Sequence, residues 1–204
     1  MPKITQITIQ TKNKDRCNLF IDGEFYAGIS VEAVMKFRLK VGQEVNSDTL
    51  KALIEDNERA EALAKALKYL SNRLKTKREV KDYLLKKGYS ENVVWYCIDK
   101  LKDYGYIDDK EYSKRYIESV SKKQGNRLSE YKLMMKGVKK EDISLALECV
   151  DVDYNENAKQ VALKHIKNKE ITSENLAKTY RYLISKGFTY EQASFAVQSL
   201  KKDY

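Results

Sequence analysis

"LLKKGYS" (residues 84–90), "LMMKGVK" (133–139) and "LISKGFT" (183–189) are one phrase written three times. Each places a leucine, then Lys-Gly, then an apolar residue. Aligning Gly88, Gly137 and Gly187 brings further positions into step. Leu84, Leu133 and Leu183 precede the glycines, and Tyr89, Val138 and Phe188 follow them. Beyond lie Val94, Ile143 and Ala193, then Cys97, Ala146 and Ala196, then Ile98, Leu147 and Val197, then Leu101, Val150 and Leu200. Their spacing marks one face of a helix. Each phrase therefore reads as a corner between two helices. The leucine packs the first helix, the glycine takes a left-handed turn without steric cost, and the next apolar residue fills the angle.

Adding the helix before each corner yields three units of three helices, over residues 57–106, 107–152 and 153–204. A repeat of roughly fifty residues predicts a tandem array in which each unit packs only on its neighbours. The fold expected is mainly α: an elongated array of three tandem three-helix repeats. Residues 1–56 differ. "ITQITIQ" is rich in β-branched residues, and Asp22-Gly23 between two apolar runs signals a two-residue hairpin. A small β-hairpin or three-stranded sheet with connecting helices is predicted there, packed on a helix after Ser30. Thr76 with Glu79, and Thr189 with Gln192, have capping-box spacing, and Asp108 with Glu111 opens a helix in the same pattern. Gly105, Gly125 and Gly137 read as helix stops.

Composition narrows the function classes. No apolar run approaches the ~20 residues that span a bilayer, and the first residues lack a signal-peptide pattern. A soluble, cytoplasmic protein and a monomer are expected. Cys17, Cys97 and Cys149 share no metal spacing and read as buried, reduced thiols. The chain holds no GxxxxGK[ST] or GxGxxG cluster, and its only histidine, His165, reads as a helix-surface or boundary residue. Asp108-Asp109 is better explained by capping than by catalysis. No enzyme, cofactor or metal is expected.

Charge carries the functional signal. The chain is +9 overall, but residues 65–140 hold 21 Lys/Arg against 10 Asp/Glu. The rest holds 18 against 20, so the excess lies in the middle third. A focused positive field fits a polyanion or an acidic protein surface. Candidate contact residues are Arg73, Lys75, Lys77, Arg78, Lys81, Lys86, Lys87, Lys114, Arg115, Lys122, Lys123 and Arg127. Tyr83, Tyr89, Trp95, Tyr96, Tyr104, Tyr106, Tyr112 and Tyr116 are interleaved with them; exposed rings can stack on bases, although most such rings belong to a core. Charge alone leaves nucleic acid and an acidic protein groove both open.

"YLSNRLKTKREVKDYLLKKGYS" (69–90), "LKDYGYIDDKEYSKRYI" (101–117) and the two later Lys-Gly corners resemble the RecX family of bacterial recombination regulators. The resemblance covers nearly the whole chain. It implies an all-helical protein of three-helix repeats whose partner is the RecA recombinase filament on single-stranded DNA. It further implies modulation of that filament, chiefly inhibition, in recombination, DNA repair and the SOS response. Direct, sequence-blind binding of nucleic acid is the alternative. Lys132 departs from the resemblance, because family sequences often carry an acidic residue before this leucine.

Overall fold

The structure is a computed structural model and describes residues 1–202. It contains three strands and, among the described residues, ten helices. The mainly helical fold with a small sheet at its start is as expected from the sequence. The chain packs into two units. The first takes Met1–Asn72 and Lys81–Asp103, the second Arg73–Val80 and the chain from Tyr104 onward.

The first unit opens with an antiparallel sheet in the order β1 (Ile4–Ile9), β2 (Arg16–Ile21), β3 (Glu24–Ser30). Asp22 (φ 50°) and Gly23 (φ 88°) form the β2–β3 turn. Positive φ at both positions matches the right-handed twist of the strands. Along β2, Cys17, Leu19 and Ile21 point into the core while their neighbours stay half-exposed. Helix α1 (Val31–Lys36) starts at Ser30, whose hydroxyl accepts from Ala33 N. It covers this face together with the start of α2 (Ser47–Leu70), which contributes Leu50 and Leu53. Polar side chains fix α2 against the sheet: Asn57 Oδ1 accepts from Ser30 N of β3 at 2.9 Å, and Arg16 of β2 pairs with Glu61. Further along, α2 packs on α4 (Glu91–Asp103), which buries Val93, Val94, Cys97, Ile98 and Leu101.

The second unit holds α5 (Asp109–Val120), α6 (Asn126–Met135) and α7 (Lys140–Cys149), then α8 (Tyr154–Ile166), α9 (Ser173–Ser185) and α10 (Tyr190–Lys202). Each trio encloses its own core: Ile117, Leu133, Val138, Ile143 and Ala146 in one, Leu183, Phe188, Ala193, Ala196 and Leu200 in the other. Helix α3 (Lys77–Lys86) gives its first residues to this unit and the rest to the first unit. Gly88, Gly137 and Gly187 all have φ between 80° and 87°, the left-handed helix stop.

Two of the corners are docking points. At the second, Lys136 Nζ donates to Glu79 Oε1 at 2.7 Å, and Thr76 Oγ1 donates to the Lys136 carbonyl at 2.8 Å. The Arg78 stem lies so close to Gly137 that a Cβ there would stand 2.2 Å from Arg78 Cδ. At the third, Gly125 N donates to Lys186 O at 2.9 Å and Arg127 N to Gly187 O at 3.2 Å. In both cases a helix C-terminus meets the first turn of an earlier middle helix. The carbonyls left over at one end and the amides left over at the other satisfy each other, and the two helix dipoles are head to tail.

Three local expectations need correction. Gly125 is no helix stop: with φ −79° and ψ 171° it is the N-cap of α6. Asp108 caps α5 through Lys110 N and Glu111 N, but Glu111 does not complete a box, because its carboxylate holds Arg115 at 2.6 Å instead. Cys17 and Cys97 are buried, whereas Cys149, at the last residue of α7, is exposed. Burial also pushes the Cys97 thiol up to about 11.

The boxes at Thr76–Glu79 and Thr189–Gln192 are complete. Glu79 is thus shared by a cap and an ion pair. Burial raises its carboxyl pKa, but hydrogen bonds from Lys136 and Thr76 N outweigh this and hold it below 4.5. Its contribution to stability is therefore complete above pH 4.5 and declines as the pH falls through the lower folded value. Glu79→Ala is expected to lose about 2 kcal/mol at pH 7 in urea unfolding, from the cap and the charge-assisted bond together. The gap between Glu79→Ala and the parent should narrow at pH 3; an undiminished gap there would assign it to packing.

Candidate nucleic-acid interface

Helix α3 carries the densest run of sequence-predicted contact residues. Arg73 in the preceding turn is exposed, as are Lys86 and Lys87 at the C-terminal end. Lys75 lies elsewhere: it is only 7% exposed, beside the Thr76 cap, so its ammonium offers little to an outside anion. Lys77 is half-buried, and its backbone N–H donates to Asp109 Oδ1 at 2.8 Å. Arg78 is exposed at its head, while its stem serves the Gly137 corner. Lys81 stands 3.8 Å from Glu91 Oε1 and 4.8 Å from the Trp95 ring centroid.

In the first unit, aromatic rings accompany these cations. Tyr69 and Tyr83 stack with centroids 4.1 Å apart and planes 3° from parallel. Lys87 Nζ lies 5.6 Å from the Tyr83 centroid. Lys65 Nζ donates to Tyr89 Oη at 2.7 Å and sits 4.9 Å from that ring. The hydrogen bond to Tyr89 is the main reason the Lys65 ammonium is raised above its ordinary value. Arg59 faces Tyr96 at 4.7 Å. Lys65 and Lys87 are held over rings, whereas Arg59 and Lys81 combine a ring with a carboxylate, Glu55 at 2.5 Å and Glu91 at 3.8 Å.

The remaining candidates lie in the second unit. Lys114 is half-buried on α5, and Arg115 is occupied by Glu111. Lys122 and Lys123 are exposed in the α5–α6 turn, and Arg127 lies 5.2 Å from the Tyr190 ring. Tyr104 and Tyr106 are exposed and meet edge to face at 6.5 Å. Tyr112 and Tyr116 instead pack against the α5–α7 core. Lys132, the departure noted in the sequence, donates to Gln124 Oε1 at 2.8 Å, so this repeat has a neutral partner before its leucine. Lys65, Lys136, Lys164 and Lys186 were not singled out from the sequence. Lys65 and Lys136 depend on partners 24 and 57 residues away, and Lys164 and Lys186 matter through a shared cleft with Lys122 and Lys123, which no local pattern reveals.

No cluster of three or more metal-ligating side chains occurs among the described residues. No helix among them is long and apolar enough to cross a membrane. The helical trios and the Lys-Gly corners define a modular helical protein with a small β-sheet at its start. The known proteins it resembles make this specific. A profile for the regulatory protein RecX N-terminal domain matches residues 2–46, and one for the RecX first three-helix domain matches residues 62–101. The regulatory protein RecX of Clostridium beijerinckii is 38% identical over 98% of this chain and 96% of its own. That of Clostridium tetani is 36% identical over 97% of this chain and 94% of its own. A crystal structure of a regulatory protein RecX superposes with a TM-score of 0.75 at 26% identity, covering 96% of this chain and 98% of that one. The chain belongs to the RecX family of regulatory proteins.

Proposed function

We propose that the protein docks on the RecA recombinase filament formed on single-stranded DNA and restrains its activity in recombination, repair and the SOS response. It acts by binding and not by catalysis. The observation that carries this reading is the near full-length likeness to regulatory RecX proteins, joined to the positive excess of residues 65–140. The contact set comprises Arg73, Lys77, Arg78, Lys81, Lys86 and Lys87, with Lys114, Arg115, Lys122, Lys123 and Arg127. Lys75 is omitted because it is buried. Charges held over rings keep their field available to a polyanion, which favours an electrostatic, salt-sensitive contact.

A second reading, direct binding of single-stranded nucleic acid without RecA, is favoured by the Tyr69–Tyr83 stack beside Lys87. RecA-dependent ATP hydrolysis on single-stranded DNA tests the first reading. The expected result is a fall in rate as the protein approaches stoichiometric amounts. An unchanged rate rejects it. Equal affinity for bare and RecA-coated strands, with ATP hydrolysis unaffected, replaces it by the second reading.

A further inference from the structure

A cleft of about 520 Å³ lies in the second unit, where the α5–α6 turn faces α8 and α9. Lys122 and Lys123 come from the turn, Lys164 and His165 from α8, Tyr182 from α9, and Lys186 from the end of α9. The volume falls in the range of small-ligand sites, ~300–1,000 Å³. Four ammonium groups line it, and none of its lining residues is a carboxylate. Among the described residues, none of the four lysines is in an ion pair. Like charges gathered in a concave site repel one another and raise the local positive potential. Such a gathering is stabilised by an anion that fits it.

The floor is built as well as charged. His165 stacks on Tyr182 with centroids 4.2 Å apart and planes 15° from parallel. Lys186 Nζ lies 5.1 Å from the Tyr182 centroid. His165 Nδ1 is 3.0 Å from Thr179 Oγ1, and that hydroxyl donates its hydrogen to Asn175 O at 2.9 Å. Thr179 Oγ1 therefore accepts from His165, and Nδ1 carries the hydrogen. In the neutral ring Nε2 is then the acceptor and the place where a proton would add.

We propose that this cleft binds the phosphate groups of a nucleotide, either free or within a nucleic-acid strand, on Lys122, Lys123, Lys164 and Lys186 above the His165–Tyr182 stack. It shares Lys122 and Lys123 with the proposed contact set but uses none of the basic run at 73–87, and its own test reads nucleotide binding without RecA. A phosphate needs several donors and positive charge without competing carboxylates, and four lysines around a neutral, protonatable ring supply both. The ring adds a pH response. In the free protein, burial and then the Lys169 ammonium hold His165 below 6.5. The groups facing it are Lys122 and Lys123 from the turn, Lys164 and Lys169 from α8 and its exit, and Tyr182 and Lys186 from α9. Lysine and tyrosine ordinarily keep their protons between pH 5 and 7. A bound phosphate offsets the cations and favours the imidazolium, so binding takes up a proton and tightens as the pH falls through this window.

The chain has a single histidine, so its ring proton gives one isolated NMR signal. The full-length protein is titrated with ATP and, separately, with octathymidylate, whose phosphodiesters do not change charge in this range. The expected result is that at least one of the two moves the His165 signal and raises its pKa. Movement by ATP, with octathymidylate competing, identifies a free-nucleotide site; movement by octathymidylate alone identifies a strand site. Lys123→Ala with Lys164→Ala, both exposed, should weaken that ligand by about a hundredfold, on the order of tenfold per lost charge-assisted contact. His165→Gln should abolish the rise in affinity between pH 7 and pH 5. A His165 signal unmoved by either ligand overturns the proposal without any variant being made, as does a double variant that binds like the parent. Loss of RecA inhibition by variants in the basic run 73–87, with the His165 response intact, separates the two readings.

Discussion

Alanine at position 125 is expected to destabilise the second unit by about 3 kcal/mol, although the backbone there is open to any residue. Gly125 has φ −79° and ψ 171°, so no conformational penalty attaches to a side chain. The obstacle is its neighbour. A Cβ would stand 2.2 Å from Gly187 O and 2.4 Å from Phe188 N, both backbone atoms that cannot rotate away. The third corner would have to lift off, breaking the bonds from Gly125 N and Arg127 N to Lys186 O and Gly187 O. Gly88→Ala is the matched control. Its φ of 87° opposes a side chain, but nothing lies within 4 Å of the added atom. Only the left-handed penalty remains, about 1–2 kcal/mol. Gly187→Ala meets both obstacles, since its φ is 84° and its Cβ would stand 2.3 Å from Leu128 Cβ. Urea unfolding should rank the three as Gly88→Ala least, Gly125→Ala next and Gly187→Ala worst. Gly125→Ala no costlier than Gly88→Ala would mean that the corner is not seated on α6.

That ranking also separates what the sequence reveals from what it hides. Gly88, Gly137 and Gly187 are legible because a helix stop is a local event, and glycine is the residue for which it is cheapest. The stripe from Val94 to Leu101 is legible for the same reason: one helix face repeats with one period, and Val94, Cys97, Ile98 and Leu101 are indeed buried. Gly125 reads as a helix stop, yet its role depends on Gly187, far along the chain. A glycine kept for close approach looks the same in sequence as one kept for a turn. Glu79 shows both levels in one side chain. Its bond to Thr76 follows from spacing, whereas its bond to Lys136 does not. The basic run was visible as composition, but composition cannot tell Lys75, buried behind the Thr76 cap, from Lys86 at the surface. Nor does it place Lys164 and Lys186 beside Lys122 and Lys123, since that needs the fold of α8 and α9 on the α5–α6 turn.

Reversing Arg73, Lys86 and Lys87 to glutamate is expected to weaken binding to RecA-coated single-stranded DNA by at least a hundredfold near 0.1 M salt. These three are chosen because they are exposed and, unlike the Arg78 stem, their side chains take no part in the docked second and third corners. Helicity by circular dichroism should therefore be unchanged. The net charge falls from +9 to +3, so some loss would follow from long-range attraction alone. The salt dependence separates that from direct contact. Three lysine or arginine contacts to phosphates of a single strand contribute about −2 to the slope of log affinity against log salt, at roughly −0.7 each. If the run touches DNA, the triple variant loses both affinity and about that much slope. If it touches an acidic face of RecA instead, affinity falls while the slope changes less, because few condensed counterions are released from a protein surface. A triple reversal on the 153–204 segment, Lys159→Glu, Lys167→Glu and Lys178→Glu, lowers the net charge equally and measures the long-range part. Equal losses in the two variants would leave the basic run with no special role; a loss confined to Arg73, Lys86 and Lys87 would make it the contact.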